Sequence, residues 1–356
     1  MREGRASEGA GRPGRMGAMT RLAERLDAPD VVPYPGAHLG LRWRPLIPSD
    51  GSAVARVVRE AEDVDHAVHR TGVCEIADMM EGGGADLMDT IVGLDADDQM
   101  CAVASVRVLR DVTEAAVAVV NAFIAPHWRG RGVGRALLFW QDGRARQMLL
   151  EAFGGDSELP AQVTNVVDAH VTDRRRLYIA AGFYARRTFR VMYREIEGAE
   201  AAIPPRDGYR VVPWAEVDAH RVRDVHMEAF RDHFWPELRG RWWTEALAEL
   251  DPRWSFAAVS PQGEIAGYLA VGRPAERWVA EGVTEAYAEL LGVAPGHRGH
   301  GLATALMSAA VESAAASGMR RIGLDVDMDS PSDAHAIYEH WGFLDQASQV
   351  YYTIDL

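Results

Sequence analysis

Lysine is absent from this chain of 356 residues: all 38 side chains that carry a fixed positive charge are Arg. That excludes a Walker-type phosphate loop, whose lysine contacts the terminal phosphates, and any lysine Schiff base. Cysteine is scarce. Cys74 and Cys101 are too few for a disulfide framework, which fits a reducing, cytoplasmic setting. Long apolar runs are missing, and none approaches the roughly 20 residues that a membrane span requires. Residues 1–37 are rich in Gly, Arg and Ala without the apolar core of a signal peptide, and read as a disordered tail, with Met16 and Met19 as alternative starts. Positive charge is in deficit. A net charge of −14 argues against DNA or RNA as a partner. It favours a cationic small molecule over an anionic one, although solubility alone accounts for the charge equally well. What remains is a folded chain long enough for two ordinary domains.

What is present is a repeat. Arg129-Gly130-Arg131-Gly132-Val133-Gly134 and Arg298-Gly299-His300-Gly301-Leu302-Ala303 share the pattern Arg-x-x-Gly-x-Gly/Ala. Each follows an apolar run ending in Ala-Pro, and each leads into a helical pattern. The opening segments LRWRP and YRVVP lie 168 positions apart, the two loops 169, and the motifs Tyr178-x-x-x-Gly182-Phe183 and Tyr338-x-x-x-Gly342-Phe343 lie 160 apart. Three ordered matches indicate duplication. The drop in offset places an insertion in the first half, read as a loop over Glu151–Pro160. The segment 198–207, with Pro204-Pro205 and no periodicity, reads as the linker. The repeats are then 38–197 and 208–356. Strand patterns over Ala115–Ile124, Gln162–Val171 and Thr188–Ile196, with helices between, recur over Ala286–Val293, Arg320–Val326 and Gln349–Ile354. The expected class is α/β, in the α+β sense: two tandem folds, each a mixed, largely antiparallel sheet flanked by helices.

The loops have a chemical logic. A helix N-terminus leaves several N–H groups without partners and carries about half a positive charge, so diphosphate oxygens are good acceptors there. Glycine lets an oxygen approach the backbone without a Cβ clash. Arg129 and Arg298 either contact the phosphates or brace the loop. The dinucleotide fingerprint Gly-x-Gly-x-x-Gly does not fit, because Arg135 and Thr304 stand where its third glycine falls.

With these motifs the sequence resembles the GNAT acetyltransferase superfamily, in a tandem arrangement. The resemblance rests on Val293-Ala294-Pro295-Gly296-His297-Arg298-Gly299-His300-Gly301-Leu302-Ala303 with Tyr338 to Phe343. In the first half it rests on Ile124-Ala125-Pro126-His127-Trp128-Arg129-Gly130-Arg131-Gly132-Val133-Gly134 with Tyr178 to Phe183. It covers nearly everything from residue 38 onward. It implies acetyl-CoA as co-substrate, no metal, and a small-molecule amine as acceptor, with neither nucleic acid nor membrane as partner and the oligomeric state open. It assigns cofactor binding to Leu291, Val293, Arg298, Gly299, His300, Gly301, Ala303 and Ser330, and in the first half to Ile124, Arg129, Gly130, Arg131, Gly132 and Gly134. Ser330 stands where relatives often carry Asn.

Glu289 is a carboxylate in an apolar strand that ends at the loop, and is the candidate base; burial would raise its pKa. Glu285 is a weaker candidate, and the Tyr287 position is another common site for the acid in relatives. Tyr338 matches the family tyrosine that protonates the leaving thiolate. The first half has Tyr178, but Ala118 and Val120 occupy the strand positions of interest. The C-terminal half is therefore expected to catalyse, and the N-terminal half to bind CoA structurally or not at all. An acyl-CoA-binding sensor without turnover is the alternative. His226, Phe230, His233, Phe234, Trp235, Trp242 and Trp243 cluster where an acceptor site is walled in this fold, although helical aromatics are more often core.

Overall fold

The computed structural model describes residues 20–356, apart from 83, 199, 232–237 and 330–333. In chain order the first repeat contains α1 (Leu22–Leu26), β1 (Arg42–Pro45), α2 (Gly51–Asp65), α3 (Val73–Glu81), β2 (Leu87–Leu94), β3 (Met100–Val108), β4 (Ala116–Ile124), α4 (Val133–Phe153), β5 (Ala161–Asp168), α5 (Thr172–Ala180) and β6 (Tyr184–Glu195). The second contains β7 (Arg210–Pro213), α6 (Ala219–Ala229), α7 (Arg239–Glu249), β8 (Phe256–Val259), β9 (Ile265–Gly272), α8 (Ala275–Glu281), β10 (Glu285–Val293), α9 (Leu302–Ala316), β11 (Arg321–Asp327), α10 (Ala334–His340) and β12 (Leu344–Asp355).

The twelve strands form one continuous sheet in the order β1-β2-β3-β4-β5-β12-β6-β11-β10-β9-β8-β7. Among the described residues only β4 with β5 and β10 with β11 run parallel, so the largely antiparallel sheet is as expected. The two repeats are joined more intimately than a linker implies. β12, from the second repeat, pairs with β5 of the first, and β6, from the first, pairs with β11 of the second. Each closing strand therefore completes the other repeat's part of the sheet.

Helices cover both faces. Along β3 the residues Ala102, Ala104 and Val106 face the core shared with Leu137 and Leu149 of α4. Val103 points the other way, to Val54, Val57 and Val58 of α2. A strand buried on both faces reads as an apolar run rather than an alternation. In the second repeat α9 contributes Leu306, Ala310 and Ala314 to the core beneath β8 and β9, and the two small side chains let the helix lie close to the sheet. α6 and α7 cover the opposite face with Val222, Val225 and Trp243.

Two expectations need correction. Residues 20–37 are not a disordered tail: Leu22 and Leu26 of α1 are fully buried against the α4 core, and Arg25 donates to the carbonyls of Leu159 and Leu356. The expected start sites Met16 and Met19 lie outside the described residues. The insertion in the first repeat is mostly helix, because α4 spans 21 residues where α9 spans 15. No helix among the described residues is long and apolar enough to cross a membrane.

Candidate functional site

The two loops adopt the same conformation. Gly130 and Gly132 have φ of +73° and +87°, and Gly299 and Gly301 have φ of +87° and +74°. Residues with a Cβ avoid this left-handed region, which explains the glycines. Gly132 and Gly301 stand immediately before the first turns of α4 and α9 and aim those N-termini into a cavity. The third small position is a steric matter. A Cβ at Gly134 would sit 3.2 Å from Leu177, a contact that asks its neighbour to shift slightly.

The parallel pairs open beyond the sheet. β10 pairs with β11 only from Glu285 to Ala288, and β4 with β5 only from Ala116 to Val119. Past those points the parallel ladders end, leaving on each side a stretch of backbone edge with no strand partner among the described residues, of the kind that accepts an extended ligand as an added strand. One cavity of about 760 Å³ lies at the β10 opening, lined by Leu291, Val293, Arg298, Gly299, Gly301, Ala303 and Tyr338. Its counterpart at β4, of about 700 Å³, is lined by Ile124, Arg129, Gly130, Gly132, Gly134 and Tyr178. The side chains of His300 and Arg131 point elsewhere. His300 bonds Asp207 at 2.6 Å and stacks on Tyr209, while Arg131 lies 4.6 Å from the Trp128 ring. Both arginines at the head of the loops brace them. The Nε of Arg129 donates to Ile124 O at 3.1 Å, and that of Arg298 to Val293 O at 3.3 Å; Arg129 also pairs with Asp65. Ser330 lies outside the described residues.

The halves differ where the strands part. Glu289 falls at a register break between β10 and β9: Ala288 pairs with Val271 and Leu290 with Ala270, leaving Glu289 as the extra residue of a β-bulge. Bulges re-aim side chains beside active sites. Gly272 makes room for it, since a Cβ there would come within 2.5 Å of the Glu289 Oε1. β4 has no such break against β3, and Val120, in the corresponding place, is fully buried. There the opening is wedged by amides. Asn165 donates to the Val120 carbonyl and to the Tyr178 hydroxyl, and Gln141 Nε2 donates to Ser105 O at 3.0 Å and Asn121 O at 2.7 Å. In the second repeat the corresponding positions are Asp325 and Ala310.

Burial pushes the Glu289 carboxyl up to about 7; Arg277 and His69 oppose the rise, and Asp325 and Glu249 add to it. Glu289 opens into a third cavity of about 700 Å³, a cleft between the repeats. Seven carboxylates line it: Glu75, Asp78, Glu245, Glu249, Glu289, Asp325 and Asp327. Two guanidiniums do as well, those of Arg107 and Arg241. Both are already neutralised, Arg107 by Asp86 and Asp78, and Arg241 by Asp86, Asp111 and Glu245. Phe230 borders both this cleft and the cavity at β10.

Tyr338 faces the β10 cavity, and burial pushes its hydroxyl up to about 12. Among the described residues that hydroxyl has no hydrogen-bond partner, while its ring packs on Trp341 and Phe343. Tyr178 differs, being held by Asn165 and stacked on Tyr352. Glu285 is fully buried between Arg277 and Arg321, an ion-paired structural carboxylate. His226 is a core residue. Burial lowers its pKa to about 4, its Nε2 donates to Arg239 O at 2.7 Å, and its Nδ1 accepts from the Tyr268 hydroxyl at 2.6 Å. Trp243 packs with it, whereas Phe230 and Trp242 do line the cleft. His233, Phe234 and Trp235 lie outside the described residues.

Fold and sites together define an acyltransferase of doubled construction. Residues 219–343 match the family model described as Acetyltransferase (GNAT) family. The chain is 29% identical over 341 residues to the mycothiol acetyltransferase of Streptomyces avermitilis, covering 92% of this chain and 99% of that one. It is 26% identical over 340 residues to the mycothiol acetyltransferase of Sanguibacter keddieii, covering 84% and 99%. Among solved structures it superimposes on a GCN5-related N-acetyltransferase from Sphaerobacter thermophilus with a TM-score of 0.70 at 23% identity, over 92% of this chain and 96% of that one. A tandem GNAT protein from the clavulanic acid biosynthesis pathway gives 0.63 at 19% identity, over 88% and 98%. The match to the GNAT family model thus falls on the second repeat, and the chain as a whole is similar to tandem GNAT acetyltransferases, a family whose co-substrate is acetyl-CoA.

Proposed function

We propose that the chain transfers the acetyl group of acetyl-CoA to the amine of a small cationic molecule, that the 208–356 repeat catalyses, and that the acceptor enters by the acidic cleft. The observation that carries this reading is the bulge at Glu289, which puts a carboxyl with a pKa of about 7 at the head of the opened strands in one repeat only. The loop from Arg298 to Ala303 holds the diphosphate, and the free edge of Leu291 to Val293 holds the pantetheine arm. Ile124 and the Arg129–Gly134 loop retain the same frame in the 38–197 repeat, but Asn165 and Gln141 fill the place where the acyl end would lie. The thioester supplies an activated acetyl group. Glu289 takes the proton of the ammonium, directly or through water, so that the amine attacks as a free base. The Tyr338 hydroxyl, which has no other partner among the described residues, donates to the departing sulfur. The acceptor is read as cationic because the cleft's two guanidiniums are already paired while Glu249 and Glu289 have no cation within 4 Å among the described residues.

The test is thiol release from acetyl-CoA across a panel of small amines, amino sugars and neutral alcohols. Turnover confined to amines and abolished by Glu289→Gln is the expected result. Cofactor-stabilised melting with no turnover on any acceptor refutes the reading.

A further inference from the structure

The loop between α2 and α3 belongs to the 38–197 repeat, yet its His69 reaches the catalytic strands of the other repeat. Its Nε2 lies 3.2 Å from Asp325 Oδ2 on β11. Arg277 of α8 donates to its Nδ1 at 2.8 Å. A ring nitrogen that accepts a hydrogen bond carries no proton, so the tautomer is fixed: Nδ1 is the acceptor and Nε2–H the donor. Asp325 also accepts from the Tyr287 hydroxyl, at 2.8 Å. Tyr287 reaches it by leaning across Gly323, where a Cβ would come within 2.7 Å of its ring. On β11, Asp325 lies one step past Leu324, the residue paired with Ala288, and so beside the Glu289 bulge.

We infer that His69 is a positioning residue for catalysis in the opposite repeat, holding Asp325 through its Nε2–H so that Asp325 and Arg277 fix the field around Glu289. The inference rests on the reading of Glu289 as the base. His69 is no proton shuttle, because its second nitrogen is engaged by Arg277. The charged and titratable groups that face this network come from five elements. Glu249 comes from α7, Arg277 from α8, Glu285, Tyr287 and Glu289 from β10, Arg321 and Asp325 from β11, and Tyr193 from β6, its ring 6.3 Å from that of Tyr287. The loop is anchored for this task. Val68 N donates to Asp168 of β5 at 3.0 Å, and Asp168 also accepts from Gln349 of β12 at 2.8 Å.

The experiment measures pH profiles of kcat/KM for full-length His69→Ala and His69→Gln, with melting curves of each and Glu289→Gln as control. Glutamine keeps an N–H near the place of Nε2. The alanine variant is expected to lose roughly 10- to 100-fold, the range of a hydrogen bond to a charged group. Its acidic limb should move to higher pH, since the charge of Asp325 next to Glu289 is no longer offset, and the glutamine variant should recover most of the loss. Wild-type rates and limb in both variants overturn the inference, as does a lower melting temperature with an unmoved limb, which would assign His69 to packing. If Glu289→Gln itself remains active, the reading of the base fails first. If it is dead while both His69 variants match the wild type, only the role of His69 falls.

Discussion

Replacing Glu289 with Gln should make the protein more stable and less active, each in a pH range set by the same proton. The carboxyl of Glu289 has a pKa of about 7 in the folded chain, against an ordinary value of 4.5. A group whose folded pKa is raised binds its proton more tightly in the native state. Its contribution to stability is complete below pH 4.5 and is lost as pH climbs through 7. The difference of about 2.5 units corresponds to about 3 kcal/mol of native-state penalty once the group is ionised. Glutamine imitates the protonated acid and escapes that penalty. The variant's gain in unfolding free energy should be under about 1 kcal/mol at pH 5 and larger by about 2 kcal/mol at pH 8. Urea unfolding at the two pH values measures it, with differences taken between variant and parent. Over the same interval kcat/KM of the parent should rise about tenfold per unit below pH 7 and level off above, and the variant should lose on the order of 10²- to 10⁴-fold. An equal stability change at both pH values refutes the argument, because it would show that Glu289 is not titrating in the window. An active variant with a flat profile refutes the assignment of the base.

Tyr338→Phe should lower kcat with little effect on the KM for acetyl-CoA. Tyr178→Phe should leave turnover intact and cost about 1 kcal/mol of stability, because Asn165 loses an acceptor; steady-state kinetics beside melting curves separate the two. Gly301→Ala and Gly132→Ala each force a left-handed residue to carry a Cβ, at about 1–2 kcal/mol. Both should lower the melting temperature, but only Gly301→Ala should raise the KM for acetyl-CoA.

Much of this molecule was legible in the chain itself. The paired loops and Tyr motifs marked a duplicated frame because a left-handed loop accepts few residue types and spaces them regularly. Glu289 stood out because a carboxylate breaks the pattern of an apolar strand, and Tyr338 because it matches the tyrosine of the family that the chain resembles. Other features left no local trace. His69 and Asp325 are separated by 256 positions, and neither belongs to a periodic motif. Gly272 and Gly323 appear as unremarkable strand glycines until the side chains that press on them are seen. The bulge at Glu289 is a matter of register with β9, which one strand's composition does not encode. The pairing of β6 and β12 across the repeats was hidden for the same reason, since either strand would serve equally well beside its own neighbour.

That pairing sets a timetable for synthesis. The strand that completes the first repeat, β12, spans residues 344–355, while its partner β5 ends at residue 168. At about 5–20 residues per second, a nascent chain carries an unfinished β5 edge for roughly 10 to 40 s before its partner exists. Most of the second repeat must emerge during that wait. The first repeat of this protein therefore cannot mature on the ribosome ahead of the second. Both halves of the sheet close together, and the bare edge in the interval is the point at which a chaperone, or another nascent chain, has its opportunity to bind.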